Sequence, residues 1–236
     1  MKKLIIPIII LLVVGVAIGL WYILNQKTGL EPEQEVNINP IDYLVFEVKK
    51  ENYSEFQTEK AYNKFNEAKV SIEAASEEGI AFESNELFYN WLNVTGAMHM
   101  IGDYEREAVV LKWFTEAYPG NSVSPSNLGN IYKSFIIDNE QSEKYYLIAL
   151  EREKNLFDIY NAFFELYRYN FEDPKKAAGV LEMGLENMPD ERNLIVNLID
   201  YYVLLDKQDE AMEALDKWLV NHPEDYSLEA RIKSKN

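Results

Sequence analysis

VLEMGLENMPDE, Val180–Glu191, returns as ALDKWLVNHPED, Ala214–Asp225. Leu181 and Leu215, Leu185 and Leu219, Asn187 and Asn221, and Pro189 and Pro223 are each 34 residues apart. Ala177 and Ala211 keep that interval and open runs whose apolar residues recur every three or four positions, the spacing of one helical face. Ahead of each run stands another such stretch, DIYNAFFELYRY (158–169) and NLIVNLIDYYVLL (193–205). The repeated unit is therefore predicted to be a helical hairpin with a turn inside and a proline at its end.

The pattern resembles the tetratricopeptide repeat (TPR), two antiparallel helices per 34 residues. Ile195, Leu198, Ile199 and Tyr202 fill its first-helix places, and Ala211, Leu215, Trp218 and Pro223 its second-helix places. Trp218 departs from the usual small residue, so wider local packing is expected there. The preceding unit supplies Tyr160, Phe163, Phe164 and Tyr167, then Ala177, Leu181, Gly184 and Pro189, with one extra residue in its internal turn. NLGNIY (127–132) and EKYYLIAL (143–150) form another pair, with Tyr146 and Ala149 in the large and small places and Lys154 replacing the closing proline. WLNVTGAMHMIGDYEREA (91–108), closed by Pro119, is a looser fourth.

About four units thus cover 86–223, and the resemblance implies an all-α, right-handed superhelical solenoid of antiparallel helix pairs. Stacking is what makes such units stable, because each hairpin covers the apolar flank of its neighbour. Residues 224–236, EDYSLEARIKSKN, read as a C-terminal capping helix with a loose basic tail. Residues 41–85 read as a helical N-terminal cap or a degenerate repeat, with Phe56, Ala61, Tyr62, Phe65, Ala68, Ile72 and Ala75 on one stripe and Gly79 as a stop.

MKKLIIPIIILLVVGVAIGLWYILNQK opens the chain with two lysines and then 21 uncharged residues, Leu4 to Leu24. As a helix this run spans ~32 Å, enough to cross a bilayer core. Trp21 and Tyr22 sit where an interfacial aromatic belt belongs, and the run ends in bulky residues rather than a small-residue cleavage site. Residues 1–24 are therefore expected to be one uncleaved transmembrane anchor. Lys2 and Lys3 outnumber Lys27, which predicts a cytoplasmic N-terminus and a soluble domain outside, periplasmic or extracellular. Residues 25–40, with Pro32, Pro40 and three glutamates, read as a polar linker.

The chain has 236 residues, 23 basic and 40 acidic, and no cysteine. Disulfides, thiolate metal sites and thiol nucleophiles are excluded. A net charge of −17 opposes nucleic-acid phosphates and favours basic partners. His99 and Asp103 are four apart, a ligand spacing, but the GDY turn at 102–104 interrupts the helix and no third ligand is near, so no metal site is expected. His222, before a closing proline, reads as a surface residue. No phosphate loop, GxSxG elbow or HExxH occurs, so neither a catalytic residue nor a cofactor is expected, and the chain reads as non-enzymatic.

In the resembled family the first helices line a concave groove that holds an extended peptide or a partner helix. Carried over by helix face, the resemblance places Asn130, Lys133, Asn161, Glu165, Arg168, Tyr169 and Asp200 on that groove. Asparagine amides there can pair with peptide backbone, and Lys133 or Arg168 can hold a carboxylate. The functional expectation is a membrane-tethered protein–protein interaction scaffold. The alternative is a chaperone-like or assembly factor that binds exported or unfolded polypeptides.

Overall fold

A computed structural model describes residues 38–49 and 53–233. The expected anchor, 1–24, and all of the linker before Ile38 lie outside the described residues. Every regular element among the described residues is helical. None of these helices is long and apolar enough to cross a membrane.

Four first helices start at Phe88, Val123, Phe157 and Arg192, spaced 35, 34 and 35 residues. They are α2 (Phe88–Met100), α4 (Val123–Ile131), α6 (Phe157–Glu165) and α8 (Arg192–Leu204). Their second helices are α3 (Tyr104–Ala117), α5 (Asn139–Arg152), α7 (Pro174–Asn187) and α9 (Gln208–Leu219). Ahead of them runs α1 (Glu55–Glu77), and behind them α10 (Glu229–Lys233). Each helix from α1 to α9 packs on its neighbours in chain order, which is the packing of a stack rather than of a closed bundle.

The internal turns share one device. The residue just before the N-cap of each second helix has positive φ: Gly102 at 75°, Ile137 at 62°, Glu172 at 53° and Asp206 at 58°. A left-handed residue reverses the chain in the space of one position. Asp138 and Asp173 then cap α5 and α7 by accepting backbone N–H bonds from Gln141 and from Lys175 and Lys176. The middle hairpins also end their first helices in π turns, Tyr132–Ile136 and Leu166–Asn170. A π turn widens the helix by a residue. The first-to-second helix interval is 17 residues in the α6–α7 hairpin and 16 in the other three, the π-turned α4–α5 hairpin included.

Small residues hold the stack close. A Cβ on Gly129 would stand 2.5 Å from the Tyr146 ring, and one on Gly184 would stand 2.9 Å from Leu194. Ala149 is fully buried. The apolar core runs as two clusters that meet in α5, where Tyr145 belongs to one and Tyr146 and Ala149 to the other. A helix that buries two flanks in this way is what stacking requires. Arg152 adds a polar tie, donating to the carbonyls of Thr115, Tyr118 and Asn121 at the end of α3.

At the N-terminal end there is one long helix rather than a helix pair. Residues 44–49 form no regular element, and Phe46 packs edge-on to Tyr62 and tilted on Phe65 of α1. Pro40, counted above as the end of the linker, is buried and opens a 3-10 turn, so the folded unit reaches back at least that far. At the other end, a 3-10 segment Pro223–Leu228 leads into α10, and Leu228 and Ile232 are buried against the last hairpin. His222 corrects the surface reading. Its ring stacks on Trp218 with centroids 3.8 Å apart, because the large indole leaves a flat apolar face for it to cover.

Candidate protein-binding face

Three polar contacts step along the stack, two between first helices and their π turns and one from the last first helix to α10. Lys133 Nζ lies 2.8 Å from Glu165 Oε2, joining the π turn after α4 to α6. Asn197 Nδ2 donates to Asn161 Oδ1 at 3.1 Å, joining α8 to α6. Arg231 donates to Asp200 Oδ2 at 2.6 Å, joining α10 to α8. Lys133, Asn161, Glu165 and Asp200 therefore lie along one face of the stacked first helices.

At the end of α6 stands an aromatic and cationic platform. The Arg168 guanidinium sits 4.6 Å from the Tyr169 ring centroid, 5.5 Å from Tyr201 and 5.8 Å from Phe164. All three rings lie within cation–π range of the guanidinium. Tyr169 keeps 61% of its surface exposed, while Phe164 and Tyr201 are buried. Burial holds the Tyr201 phenol above its ordinary pKa, although Arg168 opposes this.

The side chains do not stand as the resemblance implied in every respect. Asn130 Oδ1 accepts the Tyr146 hydroxyl at 2.7 Å, so that amide ties α4 to α5. Lys133 already holds a carboxylate of its own chain. Half-buried polar groups that leave water need such partners, and neighbouring helices supply them. Asn197, Tyr201 and Arg231 complete the face and were not foreseen. Asn197 stands 36 residues after Asn161, off the 34- or 35-residue period, so the interval does not mark it, and Arg231 lies in a tail that reads as loose.

The histidine considered as a ligand has another partner. The turn at Gly102 parts His99 from Asp103, and His99 Nδ1 lies 3.0 Å from Glu107 Oε2 on α3. Burial pushes the Glu107 carboxyl up, and His99 pulls it partly back. Among the described residues no group of three or more His, Asp or Glu is placed to hold a metal ion. On the first-helix face Lys133–Glu165 and Arg231–Asp200 pair, and half-buried Arg168 stands beside exposed Tyr169, an arrangement suited to recognition.

No protein-family profile matches the chain, and no curated protein does. Solved structures do resemble it. One is MamA, 18% identical, with 74% of this chain and 99% of that one covered and a TM-score of 0.47. Another is a thermophilic TPR protein of Thermus thermophilus, 17% identical, covering 74% and 98%, with a TM-score of 0.41. A Podosopora anserina protein with nearly identical TPR-like repeats is 12% identical, covering 75% and 94%, with a TM-score of 0.47. Overlaps this loose carry no argument about what the chain binds. The TPR-like architecture rests on its own helix pairs and their 34- or 35-residue period.

Proposed function

We propose that the chain is a protein–protein interaction scaffold, held to a membrane by residues 1–24 and recognising a polypeptide on the face of its first helices. The observation that carries this reading is the Arg168–Tyr169 platform on the same stacked first helices as the cross-helix pairs Lys133–Glu165 and Asn161–Asn197. Arginine and tyrosine are the residue types that most often anchor protein interfaces, and anchors held rigid before binding lose little entropy on docking. The 21-residue uncharged run favours a single-pass anchor, and the lysine asymmetry favours a domain, stacked as a right-handed superhelix, on the outer face of the membrane. Tethering would confine the search for a partner to the membrane surface.

The test is affinity purification of the full chain from its native membranes, beside a variant carrying Arg168→Glu and Tyr169→Ala. The scaffold reading expects a partner of defined stoichiometry that the variant loses. Retention of that partner contradicts the face, and weak capture of many unfolded chains supports the assembly-factor reading instead. Protease added outside intact cells or spheroplasts should digest the domain; a protected domain would overturn the orientation.

A further inference from the structure

The second helices of the last two hairpins enclose a recess of about 420 Å³, between α7 and α9 and over α8. Protein pockets that enclose small ligands commonly measure ~300–1,000 Å³. None of the seven residues assigned to the first-helix face lines it. Its apolar lining includes Leu185, Leu198 and Trp218, and its ionic lining includes Glu182, Glu186, Glu210 and Glu213 against a single lysine, Lys217. That lysine is held by Glu213 at 2.7 Å.

Comparison with the preceding hairpin gives the asymmetry its meaning. Tyr202 in α8 corresponds to Tyr167, eleventh from the start of the first helix in each case. Both hydroxyls donate to a glutamate, Tyr167 to Glu143 and Tyr202 to Glu182. Over Tyr167 the chain supplies its own cation: Lys176 Nζ stands 4.9 Å from the ring centroid and 6.0 Å from that of Phe171. Lys176 is the third residue of α7, and the third residue of α9 is Glu210. The place that carries a cation in one hairpin carries a carboxylate in the next. Burial, the bond to Glu182 and the fields of Glu210 and Glu213 all push the Tyr202 phenol up.

We propose that this recess is a second binding site, one that takes a lysine or arginine of a protein partner together with its apolar neighbour. The cation lies over the Tyr202 ring among Glu182, Glu210 and Glu213, as Lys176 lies over Tyr167. The apolar neighbour fills the space against Leu185, Leu198 and Trp218. A tyrosine face and surrounding carboxylates attract a cation by the same sign of field, and the apolar lining selects a segment that is greasy as well as basic. The proposal does not rest on the reading of the first-helix face.

The probe is the peptide Gly-Ser-Leu-Lys-Leu-Ser-Gly, titrated into the isotope-labelled full chain in neutral lipid nanodiscs, with amide shifts recorded by NMR. Two control peptides replace the lysine by glutamate or both leucines by serine. Saturable shifts are expected at the lining residues of α7, α8 and α9, and neither control should reproduce them. Glu210→Lys, which places in α9 the cation found in α7, should weaken binding about tenfold or more. Glu213→Gln should weaken it in the same sense, while Glu165→Gln on the first-helix face should leave it unchanged. The proposal fails if no saturable shift appears or if the shifts spread over the acidic surface at large. It also fails if the Glu210→Lys chain, shown folded by its circular dichroism, binds as tightly as the parent.

Discussion

Lys133 Nζ lies 2.8 Å from Glu165 Oε2, so a π turn in one hairpin is bonded to the first helix of the next. Lys133 is largely covered, with 15% of its side chain exposed, whereas Glu165 keeps 44%. Water screens a pair exposed to that degree. Lys133→Ala and Glu165→Ala should each cost less than ~1 kcal/mol, with a coupling of about 0.5 kcal/mol in a double-mutant cycle. Denaturant unfolding of the four chains measures it. A coupling near zero would mean that the rung does not join the hairpins energetically.

Two helical glycines should respond in opposite directions to alanine. Replacing glycine inside a helix normally gains about 0.5–1 kcal/mol of propensity. Gly179 has nothing within 4 Å of its would-be Cβ, so Gly179→Ala should raise the unfolding temperature. Gly129 faces the Tyr146 ring at 2.5 Å, and Gly129→Ala should cost about 1–3 kcal/mol despite the better propensity. Ala149→Trp, at a fully buried site, should be more damaging still. Unchanged thermal unfolding of both the Gly129 and Ala149 variants would contradict the close approach of helices in the stack.

Ile137 occupies the left-handed region at φ 62°, where a β-branched residue is strained, and 63% of its surface is exposed. The corresponding residue of the first hairpin is Gly102. Ile137→Gly should therefore relieve about 1–2 kcal/mol of backbone strain while losing little burial. Part of that gain is offset by the greater freedom of glycine in the unfolded chain. Thermal unfolding should show a net rise, and a fall would place the strain elsewhere.

Glu107 and Asp103 predict a pH dependence. Burial pushes both carboxyls up, against His99 at Glu107 and against Arg106 and Lys49 at Asp103; Glu47 and Glu105 add to the upward push on Asp103. The folded chain keeps protons that the unfolded chain releases near the ordinary carboxylate value of about 4. Their contribution to stability is thus fully present below that value and is lost as pH rises through the folded pKa values. Glu107→Gln should flatten the decline in unfolding temperature as pH rises above about 4. An unaltered profile would show that Glu107 does not ionise with difficulty in the fold.

The repeat was legible because apolar spacing and closing prolines are properties of the chain itself. Helix starts at Phe157, Pro174, Arg192 and Gln208 follow the period read from Val180 and Ala214. The extra residue of the third hairpin was visible as a count, but the π turns of the second and third hairpins were not, since π and α turns can keep the same apolar pattern. The candidate face was legible in part. Helix face put Lys133, Asn161, Glu165 and Asp200 in line, but which side chain meets which depends on how neighbouring helices cross. The recess was hidden for the same reason, as three helices must be in place before Leu185 and Trp218 face one space. Trp218 did mark the place as unlike its fellow repeats. The turn at Gly102 was readable, and the pairing of His99 with Glu107 across it was not.

The most direct measurement is photo-crosslinking in native membranes from a benzoylphenylalanine placed at Tyr169. An identical probe at Val70, exposed on α1, serves as reference. The account predicts a discrete crosslinked polypeptide from position 169 and none from position 70. No adduct at 169, or the same adducts from both positions, would contradict it.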